Sequence, residues 1–571
     1  MSKRKTQRPF IFGRLFFPGE PTAAPKLLHL QPLGDHVGNV RRLVKQWAEF
    51  PKGPGSPERV LKSADIHDMG KPQRFSIKVE TSPKGKFKKY LYSFSGHRFL
   101  ADSPDLWAQT LARGHHDFSV RDISRDVYNL KKEESYKEIL DLDPLAYAHE
   151  LYILEMCDQI EAELACRVIG DDKQANSRTF MECTIQKSEN DRTYLLDPWV
   201  FKGTSLDLTF KYWTKNLCLE EQQQLESLQE KGFDSKLGST LDKIVKDWWH
   251  SQENNPELQS HKVNLRPLLH QNSEDANDIS IYQKLAGFDP NPMQAEMYRA
   301  IADTNHPAAL LKSSTGSGKT EAVLFPALAK GYRLILPLPA KSLLEDQKQR
   351  IEKYLIKFSA LPENKDREIS LVVDTGSQMY RYVYRNGEDI TDSLKINSRR
   401  HLYKGNVILT TIDKLLYRYF SFGDKQKSFI FPLRIHLQNT LICFDEAHSY
   451  DEIAFTNFRS LVRSLYEAGR SIVLMTATMP PEYVACFDYL ERIDYVDDKD
   501  RVAKLVDFQQ QTLNQPHLGK RDFVWKAISR NPEAPEGFQT EFASLISEEW
   551  RSKSNRRILA VVETVKDAAA I

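Results

Sequence analysis

The N-terminal third of the chain carries His36, the pair His67-Asp68, His97, the pair His115-His116, and Asp158. Imidazoles and carboxylates in one set suit manganese, iron, nickel, cobalt or zinc, and supply too many nitrogen donors for a site built for Mg²⁺ alone. His36 shares a helical stripe with Val40, Leu43 and Trp47, so it faces inward. Asp158, in LYILEMCDQIEAEL, shares a stripe with Leu151 and Leu154. A carboxylate beside an apolar face is costly unless a metal or a cation neutralises it. In ADIHDMGKP, Gly70 and Pro72 mark a helix end, which puts His67 and Asp68 on its last turn. Singly, these residues read as a hydrogen-bonded core histidine, a surface pair or a salt-bridged aspartate; in this order they read as a ligand cluster. The set suffices for two ions sharing Asp68. His36, His67, Asp68 and Asp158 would hold the first, and Asp68, His97, His115 and His116 the second. Such a pair activates a bridging water and clamps both oxygens of an in-line phosphoryl displacement. Asp68 is then catalytic, and Lys71 is placed to neutralise the phosphate.

A second set is built for nucleotide phosphates. In AALLKSSTGSGKTEAVLFPAL an apolar strand runs into Ser313, Ser314, Thr315, Gly316, Ser317, Gly318, Lys319 and Thr320, where a helix begins. Glycines turn backbone N–H groups toward the phosphates and the helix N-terminus adds a favourable dipole. Lys319 reaches the β/γ-phosphates and the Thr320 hydroxyl ligates Mg²⁺. In LICFDEAHSYD four apolar residues end at Asp445 and Glu446, two carboxylates at a strand's C-terminal tip, where such sheets bind ligands. Asp445 is expected to hold Mg²⁺ through water, and Glu446 to orient and deprotonate the attacking water. DEAH is a signature of superfamily 2 helicases. Within that resemblance Thr476 and Thr478 of TATMP, with His448, couple nucleotide state to strand movement. Gln294 of FDPNPMQ reads adenine, and Thr411 of TTIDKLL touches the DNA backbone.

Positioning these residues requires more than one core, because 571 residues exceed a single domain. Residues 1–25 read as an N-terminal segment and 26–190 as an all-α domain. Residues 191–280 read as a linker region, with a strand-like piece near DPWVFKGTSLDLTFKYW, a polar helical stretch around LEEQQQLESLQEKGF, and patternless polar sequence beyond it. From 281 to 500 short apolar runs (AALLKS, RLILPLP, EISLVV, NVILTT, TLICFDEA, SIVLMTAT) alternate with helical stretches. This indicates an α/β domain with a parallel, helix-covered sheet. Residues 501–571 read as a connector followed by the strand RRILAVVET. With 40% hydrophobic residues most of the chain can fold, and no run is long and apolar enough for a transmembrane helix. Six cysteines without CxxC pairs argue against a zinc ribbon and for a reducing, cytoplasmic setting. The net charge of +2 leaves any nucleic acid to local basic surfaces, with SPKGKFKKY (Ser82 to Tyr90) as one candidate.

The order H…HD…H…HH…D is the pattern of the HD superfamily, and an HD domain ahead of a DEAH-box motor is an uncommon fusion. HDMGK, GHHDF, SSTGSGKTEA, TTIDKLL, DEAHSYD and TATMP together resemble the type I CRISPR-associated nuclease-helicase recruited by the Cascade surveillance complex. The resemblance implies an ATP- and Mg²⁺-dependent 3′→5′ translocase on single-stranded DNA, whose RecA-like domain feeds the strand to a transition-metal HD nuclease, with a guide-RNA-bearing Cascade complex as partner and no membrane. Val562 to Val565 would open the family's second RecA-like domain, and no arginine-bearing sixth motif follows. The expectation is a cut-off motor, or one completed by another chain, that binds ATP without translocating. Two other readings use the same ligands: a nucleotide phosphohydrolase with a regulatory ATPase, and a DNA clamp that cuts nothing.

Overall fold

The computed structural model describes residues 11–20, 22–48, 55–73, 75–84, 86–117, 120–138, 145–170, 185–187, 193–196, 205–231, 235–251, 258–267, 279–365, 367–375, 378–391, 395–396, 405–419, 439–446, 452–513, 528 and 535–552. Val562 to Val565 and His448 lie outside them. Residues 1–505 form one compact unit and 506–571 another.

The N-terminal part begins with strands β1 (Phe12–Phe16) and β2 (Leu27–Pro32), which runs directly into α1 (Leu33–Ala48). Helix α2 (Pro57–Ile66) starts where sequence dictates, with Pro57 at its first position and the Ser56 hydroxyl accepting from the Arg59 N–H. Strands β3 (Phe75–Thr81) and β4 (Phe87–Phe94) then form an antiparallel hairpin. Helices α3 (Leu106–Gly114), α4 (Val120–Leu130) and α5 (Leu145–Val168) follow. Helix α5 is buried on nearly every side, and the charged residues it buries, Asp158 and Glu161 among them, must therefore be compensated by partners. Val40, Leu43 and Val44 of α1 are buried with Leu151 and Leu154 of α5 in one cluster, as their stripes predict.

Two expectations are corrected here. The N-terminal domain is not all-α: the β3–β4 hairpin buries Phe75, Ile77, Tyr90 and Phe94 against Leu237, Leu241 and Trp249 of a helix much later in the chain. That alternation was concealed by the lysines on its other face. Nor do the described residues of 191–280 read as a linker. Strands β5 (Ile185–Lys187), β6 (Thr193–Leu196) and β7 (Leu206–Asn216), helices α6 (Leu219–Glu230) and α7 (Ser235–His250), and strand β8 (Leu258–Pro267) are folded. Together with the first two strands they form a six-stranded sheet in the order β1-β2-β7-β8-β6-β5. The polar β8 is an interior strand of this sheet, burying only Val263 and Leu265. So few apolar residues carry little periodic signal.

The next part is the expected α/β layer. Helices α8 (Ile281–Ala286) and α9 (Pro292–Ala302) lead to β9 (Ala308–Lys312) and α10 (Lys319–Ala329). Then come β10 (Arg333–Leu338), α11 (Ser342–Ser359), β11 (Ile369–Asp374), β12 (Met379–Arg385), the short β13 (Glu388–Asp389) and β14 (Lys395–Ile396), β15 (Val407–Thr411) and α12 (Ile412–Tyr419). Strand β16 (Thr440–Asp445), α13 (Glu452–Glu467), β17 (Ser471–Thr476) and β18 (Glu491–Asp494) complete a ten-stranded sheet. Its order is β13-β12-β11-β15-β10-β16-β17-β9-β18, with β14 beside β12, and the seven strands from β11 to β18 in that order are parallel. The side chains of β10, β11, β15 and β17 are buried throughout, as in a sheet covered on both faces. A helix Lys499–Leu513 follows, its last residues belonging to the second unit, in which Pro535–Ser552 is also helical.

Candidate metal centre and nucleotide site

Four imidazoles converge on one carboxylate. His36 comes from α1, His67 caps α2, Asp68 lies in the turn after it, and His97 opens the 3₁₀ turn His97–Leu100. His115 caps α3, and Asp158 comes from α5. Helix α2 ends at Ile66, so His67 and Asp68 stand just past the helix rather than on its last turn. His36 Nε2 lies 2.8 Å and His67 Nε2 3.4 Å from Asp68 Oδ2, while His97 Nε2 lies 2.9 Å and His115 Nε2 4.0 Å from Asp68 Oδ1. Asp158 Oδ1 is 3.4 Å from His36 Nε2. Two sets of donor atoms result, each within 4.8 Å: His36, His67, Asp68 and Asp158; and His97, His115 and His116. His116 is exposed at the rim, its ring 3.9 Å from that of His115.

The tautomers follow from the acceptors. His67 Nδ1 donates to the Ala64 carbonyl (2.8 Å), His97 Nδ1 to that of Phe94 (2.6 Å), His115 Nδ1 to that of Ala112 (2.6 Å), and His36 Nδ1 to the Glu161 carboxylate (2.6 Å). With Nδ1 so engaged, each ring turns its Nε2 inward. The Nε2 atoms of His67, His97 and His115, and Oδ1 of Asp68, are buried without a hydrogen-bond partner. Lone pairs that face a carboxylate at such distances repel unless a cation or a proton lies between them. Buried polar atoms without partners are rare, and here four of them cluster around one point. The two donor sets would each fit one divalent ion of the borderline transition class.

The charges agree. Against burial, Lys71 and His67 hold Asp68 well below the usual carboxylate range. Asp158 is likewise held low, against burial, by Arg14, His36 and His67. Burial, with His116 and His67 alongside, keeps the His115 imidazole well below its ordinary value and so available as a neutral ligand. Despite burial, Asp68 raises His67, so a proton and a metal ion compete for that Nε2. Lys71 Nζ is 2.5 Å from Asp68 Oδ2 and largely buried, paired to the carboxylate instead of standing open to a phosphate.

Sequence reasoning missed three residues. Glu161 is fully buried; besides His36 it accepts from Gln31 Nε2 (2.7 Å) and lies 3.3 Å from Arg14 Nε. Arg14 Nη2 also donates to Asp158 Oδ1 at 3.0 Å. A carboxylate behind a ligating imidazole fixes its tautomer and raises its basicity. Glu161 was visible in principle, one turn beyond Asp158 on the same stripe. Arg14 and Gln31 were not, because only the six-stranded sheet brings β1 and β2 to α5.

At the second site β9 ends at Lys312, and Ser313 to Gly318 loop into the N-terminus of α10. Gly316 (φ 80°) and Gly318 (φ 87°) are left-handed, a conformation strained for any other residue, and a Cβ on Gly318 would also displace the Gln294 amide, whose Nε2 would lie 2.4 Å away. Ser313 Oγ donates to Ser317 Oγ (2.9 Å), and Lys319 Nζ bonds the Ser313 and Ser314 carbonyls at 3.1 and 3.2 Å. Thr320 is buried at the helix start. Gln294 is buried: its carbonyl accepts from Asn291 N (3.0 Å) and its amide donates to Gly318 O (3.3 Å). Asp445 ends β16 with Oδ1 buried and unpartnered, and burial together with Glu446 pushes its carboxyl up to about 6. Glu446 itself is left-handed (φ 50°), a strained conformation for a non-glycine residue at a strand tip. Thr476 Oγ1 accepts from Thr478 N at 3.3 Å, and the Thr476 carbonyl accepts from Ser313 N at 3.0 Å, which ties the TAT element to the phosphate loop. Thr411 is buried at the end of β15, 7% exposed.

Residues 291–486, which carry the phosphate loop, the acidic strand tip and most of the parallel sheet, match the DEAD/DEAH box helicase family. Within that class the chain is similar to the CRISPR-associated helicase Cas3 of Thermoproteus tenax, at 27% identity over 195 residues. That match covers 31% of this chain and 30% of the relative, so the matched stretch spans less than a third of either. Among solved structures, T. fusca Cas3 with ADP aligns at 14% identity and a TM-score of 0.38, covering 83% of this chain and 51% of that one. The DUF1998 helicase MrfA bound to DNA and AMPPNP aligns at 18% identity and a TM-score of 0.27, covering 38% and 29%. No helix among the described residues is long and apolar enough to cross a membrane.

Proposed function

We propose that the chain is a CRISPR-interference nuclease-helicase. The N-terminal centre cuts single-stranded DNA with two transition-metal ions, and the α/β domain binds ATP and Mg²⁺ to draw the strand 3′→5′. A Cascade-type complex with its guide RNA is the partner that presents the DNA. The observation that carries this is the convergence of four inward Nε2 atoms on the two oxygens of Asp68. Bound ions would polarise a phosphodiester and lower the pKa of water between them. The chain's own part would be to hold them: His36, His67, Asp68 and Asp158 would take one ion and His97, His115 and His116 the other, while Glu161 and three backbone carbonyls fix the imidazoles and Lys71 balances the Asp68 charge. In the α/β domain Lys319 and Thr320 would meet the phosphates, Asp445 would hold Mg²⁺ through water and Glu446 would orient the attacking water. The buried, unpartnered Asp445 Oδ1 supports that role. DNA is favoured over mononucleotides as substrate because the ATPase core is of helicase type.

Manganese-loaded protein incubated separately with circular single-stranded DNA and with deoxynucleoside triphosphates tests this. Cleavage of the circle, lost in Asp68→Ala, is expected. Hydrolysis of triphosphates alone, lost in Asp68→Ala, would make the centre a nucleotide phosphohydrolase, and no Asp68-dependent hydrolysis of either would make the chain a clamp.

A further inference from the structure

Among the described residues Phe99 is the most exposed phenylalanine, at 60%, although aromatic rings stabilise most when buried. It lies two residues beyond His97 in the turn His97–Leu100. Met69, 54% exposed, directly follows Asp68. These two turns touch: a Cβ on Gly70 would lie 2.8 Å from Leu100 Cβ. Exposed apolar groups thus flank the centre on two adjoining turns, each carrying a ligand. The Arg98 guanidinium sits 4.7 Å from the centroid of the Phe99 ring, and its Nη1 is 2.7 Å from Oδ2 of Asp117, which follows His116. The turn that presents Phe99 is therefore anchored to the His115-His116 turn as well.

We propose that Phe99 is a stacking platform for an unpaired nucleobase next to the scissile phosphate, and that it makes the centre selective for single strands. This rests on the nuclease function proposed above. Every base has a π-face, so a lone exposed ring binds one without reading sequence, whereas in a duplex those faces are covered by neighbouring pairs. Charge complementarity favours a nucleic acid over an apolar peptide, since the Arg98 guanidinium lies against the ring and any ions held by His97 and Asp68 would add positive charge on the adjoining turns, where phosphates would flank the stacked base.

The test uses the full chain with Mn²⁺ and a single-stranded oligonucleotide. Phe99→Ala should raise KM about 10-fold, and Phe99→Trp should restore it. An abasic residue moved stepwise past the cleavage point should impose a similar loss on the wild type at one position, and no added loss on Phe99→Ala. Equal KM values for Phe99→Ala and wild type, a Phe99→Trp as impaired as Phe99→Ala, or a flat abasic scan would each overturn the platform while leaving the nuclease intact. A wild type that cuts no strand would remove both.

Discussion

Replacing Gly70 with alanine should disable half of the metal centre through a single methyl group. An ideal Cβ at this position lies 2.1 Å from the carbonyl oxygen of His97, 2.9 Å from its carbonyl carbon and 2.8 Å from Leu100 Cβ. Carbon–oxygen contacts that close are not sustained, so the turns carrying Asp68 and His97 must separate by roughly 1 Å. The obstacle is backbone, which no rotamer change relieves. Gly70 is not among the left-handed glycines, so the residue is required for close approach and not for its own conformation. Overpacking of this kind costs about 1–3 kcal/mol of stability. The separation also pulls His97 Nε2 from its position 2.9 Å from Asp68 Oδ1. Isothermal titration with Mn²⁺ should then show the weaker site reduced by at least about 10-fold, the scale seen when the support of a metal ligand is lost. Cleavage should drop by about 100-fold, as expected for misplacing a catalytic group by an ångström. Two-site Mn²⁺ binding by Gly70→Ala at wild-type affinity would show that the turns do not position each other and would refute this reasoning.

Glu161→Gln removes the carboxylate behind His36 with little change of shape and should weaken Mn²⁺ at the first site by about 10- to 100-fold; an unchanged titration would make Glu161 a purely structural residue. His29 titrates against the fold: burial lowers its imidazole from 6.5 to about 4, while its Nδ1 is paired with the Thr214 hydroxyl at 2.9 Å. Its folded pKa lies below the unfolded one, so its contribution is fully present above pH 6.5 and is lost as pH falls toward 4. Melting temperatures of His29→Gln should accordingly fall less than those of wild type over that window, and parallel curves would contradict it.

The parts legible in the sequence were those whose signal is local. The phosphate loop needs only a strand, a loop and a helix in succession, and the structure puts them at β9, Ser313 to Gly318 and α10. His36 and Asp158 declared themselves by standing on stripes with Val40, Leu43, Leu151 and Leu154, because a polar group amid buried apolar neighbours must be compensated. The six-stranded sheet was illegible for the converse reason. Strand β8 buries only two side chains, and β2, which carries β1 on its outer side, pairs with β7 nearly two hundred residues away, so neither periodicity nor spacing announces them. Arg14 was hidden with that sheet. Gln294, expected to read adenine, spends its amide on the cap of α9 and on Gly318, contacts that depend on how the helix docks against the loop.

The most direct test of the metal centre is anomalous scattering at the manganese edge from crystals of the chain soaked in Mn²⁺. The arrangement of donors predicts two peaks about 3.5–4 Å apart on either side of Asp68, one against His36, His67 and Asp158 and the other against His97, His115 and His116. An absence of peaks there, with the four histidines still turned toward Asp68, would contradict it.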